Sequence, residues 1–324
     1  MTSTSSHRRQ FLVALGCALW LPQAWPQAPG KPLRMILPMA PGSVGDTVAR
    51  ALAVHLSQAM ARPVVIENLA GAGGMTGTAQ LVRAPNDGLT LALVSSSHVI
   101  NPFIFKAMPY DAIKDVTPIS VLGKSMMALV THPSLPAQTL GELLRLLRAE
   151  PGKFNYGSSG NGGVTHLPAE LFNREAGVST RHIPYKGLGQ QVTDTVGGQV
   201  HFSFVPVGVA APLVKAGKLR AIAVTGSARS GSLPEVPTFI EAGLSRYVYE
   251  PWLAIIGPAG LAWAQVQGIH GAIRMALEQP DIRTLMAAQD LTAVAMSPQE
   301  TAAYFESELP KYGAMVKYAG ATAE

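Results

Sequence analysis

The chain has 324 residues, of which 14% are charged and 48% are hydrophobic, and its formal net charge is +5. This composition indicates one or two globular domains with a buried core and excludes a disordered chain. Lys and Arg are not clustered, and no strand carries stacking aromatics between them, so a nucleic-acid-binding protein is excluded as well.

Residues 1–28 are typical of a cleavable export signal. A polar start ending in Arg8 and Arg9 precedes an apolar run from Phe11 to Leu21, and small residues follow. The string RRQFL favours the twin-arginine route over the general secretory route, and the run is shorter than the ~20 apolar residues of a membrane span. We therefore expect a periplasmic protein.

The first third of the mature chain repeats the order strand, Gly-rich loop, helix. The pattern predicts strands over Leu33–Leu37, Val64–Ile66 and Leu89–Val94, and helices over Asp46–Met60 and Thr78–Arg83. Alternation of this kind is typical of an α/β sheet, in which ligands bind at the carboxyl ends of the strands.

The same order restarts in the middle third, where Thr139 and Glu142 form a capping box for a helix that ends near Glu150. A long helix is predicted from Ser297. The remaining predicted strands are 154–156, 182–183, 200–204 and 219–224, and the remaining predicted helices end near Ala176 or span 189–196 and 207–216.

We expect two α/β lobes, each a mostly parallel sheet flanked by helices, with a ligand cleft between them. The strand-like segments 119–131 and 248–257 are interpreted as crossings between the lobes. The expected division is residues 29–124 plus 254–324 for the first lobe and residues 125–253 for the second lobe. Hinge closure around a ligand is the usual use of such a cleft.

Three sequence patterns that would indicate an enzyme are matched only in part or not at all. None of the eight histidines lies three or four residues from another, so we expect no metal site. Ser158 and Ser159 stand in GSSGN, which departs from the G-x-S-x-G nucleophile motif. The loop from Gly71 to Gly77 follows a strand as a dinucleotide loop does, but its glycine spacing differs. A hydrolase or a nucleotide-dependent enzyme using these loops stays as the alternative function.

Four Gly- and Ser-rich loops, PGSVGD, GAGGMTG, SSSH and GSSGNGGVTH, each precede a helix. A helix N-terminus presents unpaired N–H groups and a partial positive charge, so such loops hold carboxylates or phosphates. For Asp46, a helix N-cap is the competing interpretation, and His98 and His166 are either cleft residues or structural ones.

Several ordered motifs resemble one family of extracytoplasmic receptors. They are KPLRMILPMAPGSVGDTVAR, PVVIENLAGAGG, YGSSGNGGVTHLPAELF and HIPYKGLGQQVTDTVGGQVHFSF. Over nearly all of the mature chain, the sequence is similar to the tripartite tricarboxylate transporter substrate-binding family, the Bug or TctC-type solute receptors.

The resemblance implies a two-lobed periplasmic solute-binding fold, similar to type II, that closes over a small organic anion (a di- or tricarboxylate, an aromatic carboxylate or an amino acid). It implies no catalysis, no cofactor and no metal, and delivery to membrane transporter subunits or a sensor kinase; we expect a monomer. The ligand-binding positions it implies are Gly42, Ser43, Asp46, Ser96, Ser97, His98, Ser158, Ser159, Gly160, Asn161, Gly163, Thr165 and His166.

The chain departs from the family pattern in two places. Ser43 follows Gly42 where consecutive glycines are usual, and the stretch from Phe204 to Val207 lacks the acid that some relatives carry. The second departure favours a plain carboxylate over an amino acid as the ligand.

Overall fold

The computed structural model describes residues 30–322, so the export signal predicted over 1–28 lies outside the described residues. The strands β1 to β11, in chain order, are Leu33–Leu37, Val64–Asn68, Thr90–Ser95, Val116–Lys124, Met127–Thr131, Asn155–Ser158, Arg181–Pro184, Phe202–Pro206, Arg220–Val224, Trp252–Pro258 and Thr292–Ala293. The helices α1 to α10 are Val44–Ala59, Met75–Val82, Ser97–Ile104, Leu140–Ala149, Leu167–Ala176, Leu188–Val196, Val207–Lys215, Trp263–Leu277, Pro280–Ala288 and Pro298–Ala319.

The strands form two sheets, one in each lobe. The first lobe contains the six-stranded sheet with the order β11-β4-β10-β3-β1-β2, and the second lobe contains the five-stranded sheet β7-β6-β8-β5-β9. The chain passes from β4 to β5 through Ser125 and Met126, and it returns to the first sheet in β10. The two-lobed α/β fold expected from the sequence is confirmed.

Both sheets are mixed, so the expectation of mostly parallel sheets is wrong. β1 pairs in parallel with β2 and β3, and β6 with β7 and β8, because a helix connects each strand to the next in βαβ order. β10 is antiparallel to β3 and β4, and β5 is antiparallel to β8 and β9. β4 leads directly into β5 without a helical crossover, so the strands that link the lobes do not continue the parallel pattern.

Most predicted elements are confirmed with small shifts at their ends, but α8 and α9 were not predicted, and the helix after β3 begins within the SSSH loop. Ser97 and His98 were expected in a loop and form the first turn of α3, where the Ser96 carbonyl accepts the N–H groups of Val99 and Ile100. α8 covers the core of the first sheet with Val266, Ile269 and Ile273, and α9 covers it with Ile282 and Met286. No helix among residues 30–322 has the length and apolar character needed to cross a membrane.

The C-terminal helix α10 joins the two lobes by packing. It lies on α3 and β4 of the first lobe and on α5 of the second lobe. Ser297 caps its first turn together with Glu300, as the sequence predicts. Phe305 and Tyr312 on its inner face are buried in a core cluster that contains residues of both lobes.

Candidate functional site

A cavity of about 640 Å³ lies between the lobes, at the carboxyl ends of the parallel strands. Its wall is drawn from residues 38–45, 70–74 and 95–97 of the first lobe and from 159–165 and 184–188 of the second. Predicted site residues in the wall are Ser43, Ser97, Ser159, Gly160, Asn161, Gly163 and Thr165. The other six predicted residues, Gly42, Asp46, Ser96, His98, Ser158 and His166, are not part of it.

In the loop before α1, Ser43 lines the cavity, whereas Asp46 lies behind the loop and holds it in place. Ser43 lines the cavity and caps α1, since its Oγ accepts the Asp46 N–H at 3.3 Å. The Asp46 carboxylate lies behind the loop, where it accepts the Gly42 N–H at 2.9 Å and bonds from Arg50 Nε and Asn68 Nδ2 at 3.0 Å each. Burial raises the pKa of Asp46, but these bonds outweigh it and hold the pKa below its usual value. Asp46 therefore fixes the loop.

The second glycine loop, Gly71 to Gly74, also lines the cavity, although it was not among the predicted ligand-binding residues. Gly73 has a φ of 62°, and its carbonyl accepts a hydrogen bond from Asn101 Nδ2 at 3.0 Å. A Cβ added at Gly73 would lie 3.3 Å from the Asn161 carbonyl oxygen of the other lobe. The loop occupies the same position after its strand as the first loop does, and this shared position is the signal that could have identified it.

At the end of β3, only one of three predicted residues reaches the cavity. Ser97 lines it, whereas Ser96 is fully buried. His98 is buried between Tyr110 and Phe305 and donates a hydrogen bond from Nε2 to the Ala112 carbonyl at 2.7 Å. Burial lowers the pKa of His98 to about 4, so it is a neutral core histidine.

In the second lobe, Thr165 organises the loop that precedes α5. Its Oγ1 accepts the Ser159 N–H at 2.8 Å, lies 2.9 Å from Ser159 Oγ and donates to Gln191 Oε1 at 3.2 Å. Gln191 is fully buried and donates in turn to the Phe204 carbonyl. The loop is thus tied to α6 and β8, which fixes the backbone that faces the cavity.

Behind this loop lies a Ser–His pair that is closed off from the cavity. Ser158 Oγ lies 2.6 Å from His182 Nε2, and the His182 ring stacks on the His166 ring at 4.3 Å. Burial lowers the pKa of His166 to about 3 and that of His182 to about 4. Because Ser158 is fully buried and absent from the cavity wall, its hydroxyl has no access to a substrate there.

Sequence reasoning missed the segment Tyr185 to Leu188, and also Phe105, Pro206 and Trp252, all of which line the cavity. Leu188 begins α6, and Gly187 precedes it without a side-chain cap. The signal for this segment was the strand, glycine, helix order within HIPYKGLGQQ. Trp252 lies in β10 and has no local signal, because only the crossing of the lobes brings it to the cleft.

Helices from both lobes begin at the cavity. The wall contains residues at, or within two positions of, the first residue of α1, α2, α3, α5, α6 and α7. The N-terminus of a helix carries a partial positive charge and unpaired N–H groups. Among the described wall residues, Lys186 is the only charged one, so the field comes mainly from backbone dipoles. Such an arrangement binds an anion.

Within residues 30–322, no group of three or more His, Cys, Asp or Glu side chains is placed to hold a metal ion.

The family model described as tripartite tricarboxylate transporter family receptor matches residues 48–321. The Bordetella pertussis protein BugT is 34% identical over 295 residues, which are 90% of this chain and 90% of BugT. The periplasmic binding protein BugD superimposes with a TM-score of 0.86 at 26% identity, over 91% of this chain and 100% of BugD.

Two solved relatives hold carboxylates. MatC from Rhodopseudomonas palustris, with bound malate, has a TM-score of 0.85 at 27% identity over 89% of this chain and all of its own. An R. palustris protein solved with adipate has a TM-score of 0.86 at 28% identity over 91% of this chain and 99% of its own. The expected solute-binding receptor is confirmed, and the chain belongs to the tripartite tricarboxylate transporter family of receptors.

Proposed function

We propose that this receptor captures a small organic carboxylate in the cleft between its lobes and releases it unchanged to a membrane partner. One observation carries the proposal: helix N-termini from both lobes meet at a single cavity whose described wall contains no acidic side chain. An anion held from both sides stabilises the closed arrangement of the lobes.

Hydroxyl and backbone groups make the contacts. Ser43 uses its oxygen as an acceptor for the Asp46 N–H, so its O–H group is available to a carboxylate oxygen. Ser97 contributes a second hydroxyl, and the loop from Ser159 to Thr165 contributes backbone N–H groups. The malate and adipate relatives support this ligand class by analogy.

The proposal divides the chain into two lobes. Residues 29–124 and 254–324 form the first lobe, and residues 125–253 form the second lobe. Closure brings their surfaces together into one face, and a membrane transporter subunit or a sensor kinase recognises that face. A membrane partner that binds the closed form more tightly than the open form distinguishes the loaded receptor from the unloaded one.

Calorimetric titration of the mature protein with a panel of mono-, di- and tricarboxylates tests the proposal. A ligand at 100 times its dissociation constant adds about 2.7 kcal/mol to the free energy of unfolding, so a thermal shift reports the same binding. We expect binding with 1:1 stoichiometry and full recovery of the ligand after prolonged incubation. Absence of binding by every carboxylate would contradict the proposal.

The same incubation tests the enzyme alternatives. A product formed from a bound ester would support a hydrolase that uses Ser159, and a thermal shift with NAD alone would support a nucleotide function for the Gly71 loop. We expect neither result. Ser158, which has the histidine partner, is sealed from the cavity, and Ser159, which lines the cavity, has its Oγ 2.9 Å from the Thr165 hydroxyl, which is no general base.

Export to the periplasm is part of the proposal. Replacing Arg8 and Arg9 by Lys should block a twin-arginine export route, which fractionation of cells followed by immunoblotting would detect. Unchanged export of the double variant would assign the general secretory route instead. Sedimentation of the mature protein should give a monomer.

A further inference from the structure

The cavity wall offers more apolar surface than a compact, highly polar acid uses. Both lobes contribute: Phe105 and Met39 come from the first lobe, Val164 and Leu188 from the second, and Trp252 from the strand β10. The cavity volume of about 640 Å³ lies within the range of pockets that enclose drug-sized ligands, about 300–1,000 Å³.

The same wall lacks a group that would pair with a ligand cation. Among the described residues that line it, none is Asp or Glu, and the buried carboxylate of Asp46 is occupied by Gly42, Arg50 and Asn68. An ammonium group brought into this cavity would lose its hydration without gaining a carboxylate partner, which carries a large free-energy cost.

A polar substituent on the body of the ligand meets a related difficulty over part of the wall. Most polar groups of the wall lie on the Gly- and Ser-rich loops, with Ser125, Tyr185 and Lys186 outside them. The side chains of Phe105, Leu188 and Trp252 supply no hydrogen bonds to the cavity, and the indole N–H of Trp252 is directed to Glu308 at 3.3 Å. A polar substituent placed against these side chains would be desolvated without compensation.

We infer that the ligand is a carboxylate whose body is apolar, at least as large as one aromatic ring, and free of an ammonium group. The inference rests on the proposed function and narrows it to one ligand class. The carboxylate lies at the helix N-termini, and the apolar body packs between the side chains that the two lobes contribute.

Three compounds of nearly equal shape separate the effects of the carboxylate and of an ammonium group on the binding affinity. Mature protein is titrated calorimetrically at pH 7 with 3-phenylpropionate, with L-phenylalanine, which adds only an ammonium group, and with 3-phenylpropan-1-ol, which lacks the carboxylate. Citrate and malate serve as compact polar acids. We expect 3-phenylpropionate to bind at least about tenfold more tightly than each of the other four compounds.

A pair of phenylalanines on one helix end tests where the apolar body lies. Phe105 lines the cavity, whereas Phe103, two residues earlier, is 42% exposed and lies against Gly313 of α10 instead. Phe105→Ser should weaken binding of 3-phenylpropionate at least about tenfold, and Phe103→Ser should leave it unchanged. If the circular dichroism of the Phe105 variant shows unfolding, Leu188→Ser is measured in its place.

The outcomes distinguish the inference from the proposed function. Binding of citrate, malate or phenylalanine as tight as that of 3-phenylpropionate would overturn the inference and leave a carboxylate receptor. A folded Phe105 or Leu188 variant with unchanged affinity would also overturn it. If no acid of the panel binds, nor any carboxylate of the wider series, the proposed function itself fails.

Discussion

Burial keeps His98, His166 and His182 neutral. It lowers the pKa of His98 to about 4, that of His166 to about 3 and that of His182 to about 4. In the unfolded chain a histidine has a pKa of about 6.5 and therefore binds a proton first as the pH falls. The stability that these neutral histidines contribute is fully present above the unfolded pKa of about 6.5. It is lost as the pH falls toward the pKa values of the folded protein.

His98 contributes a definable part of this loss. From its folded pKa of about 4, the linkage predicts roughly 2 kcal/mol lost between pH 7 and 4.5 at this residue alone. In His98→Phe, the ring should still pack between Tyr110 and Phe305, and the variant should lose less stability over that range than the natural protein. Urea unfolding at both pH values measures the difference. Parallel losses in the two proteins would contradict the assignment.

Asp46 holds the loop before α1 and is expected to affect ligand binding through that loop. Asp46→Ala removes the acceptor for the Gly42 N–H, Arg50 and Asn68, so we expect a loss of about 1–3 kcal/mol in the free energy of unfolding and weaker carboxylate binding. Asp46→Asn keeps one acceptor oxygen and should recover part of both losses. Urea unfolding and calorimetry measure them. Unchanged affinity in a destabilised Ala variant would show that the loop tolerates the change.

At the scale of elements, two helices that begin with the same capping chemistry lie at different distances from the site. Ser43 caps α1 at the cavity, and Thr139 caps α4, where Glu142 completes a capping box. Replacing either residue by Ala should cost about 1 kcal/mol in the free energy of unfolding, because each leaves an N–H group unpaired.

Binding should separate the two variants. Ser43→Ala removes a hydroxyl from the cavity wall and should lower the affinity for the carboxylate, whereas Thr139→Ala should leave it unchanged. Both variants should be destabilised to the same extent. Calorimetry therefore measures how much the Ser43 hydroxyl contributes to the binding affinity. Equal affinities for both variants would place the carboxylate away from α1.

At the scale of the whole molecule, the lobes touch at two places, one of them in the cavity wall. A Cβ added at Gly187 would lie 3.1 Å from Ala40 Cβ, and one added at Gly208 would lie 2.6 Å from the carbonyl of Gln289 in the other lobe. Near the second contact, Ser230 donates a hydrogen bond to Asp290 at 2.7 Å. The closed arrangement of the lobes therefore depends on backbones that approach closely at glycines.

Gly208→Ala should hold the lobes apart. Gly208 is the second residue of α7, so Ala is compatible with its helical backbone, but the added methyl group collides with Gln289 in the closed form. We expect weaker ligand binding with an unfolding free energy close to that of the natural protein, and a larger radius of gyration by X-ray scattering in the presence of ligand. Gly268→Ala, in the exposed face of α8, meets no atom within 4 Å and serves as the control. Compaction of both variants on ligand addition would contradict this role for Gly208.

Much of the fold follows from local sequence. Strand length, helix periodicity and caps are set by residues a few positions apart, which is why β1 and the capping box at Thr139 were predicted as they occur. The helices α8 and α9 carry weaker start signals, since Ala262 and Gln279 precede them in place of a Ser, Thr, Asp or Asn cap.

By itself, the sequence determined the alternating α/β elements, the glycine loops ahead of the helices and the absence of a metal-binding motif, because these depend on neighbouring residues and composition. Only the tertiary structure decided which polar side chains line the cavity. Ser43 and Asp46 lie three residues apart, yet one lines the cavity and the other is buried behind it. The direction of β10 and the arrival of Trp252 at the cleft depend on pairing with β3 and β4, strands more than a hundred residues away in the chain. Contacts over such distances are chosen by packing of the whole molecule, which no local pattern encodes.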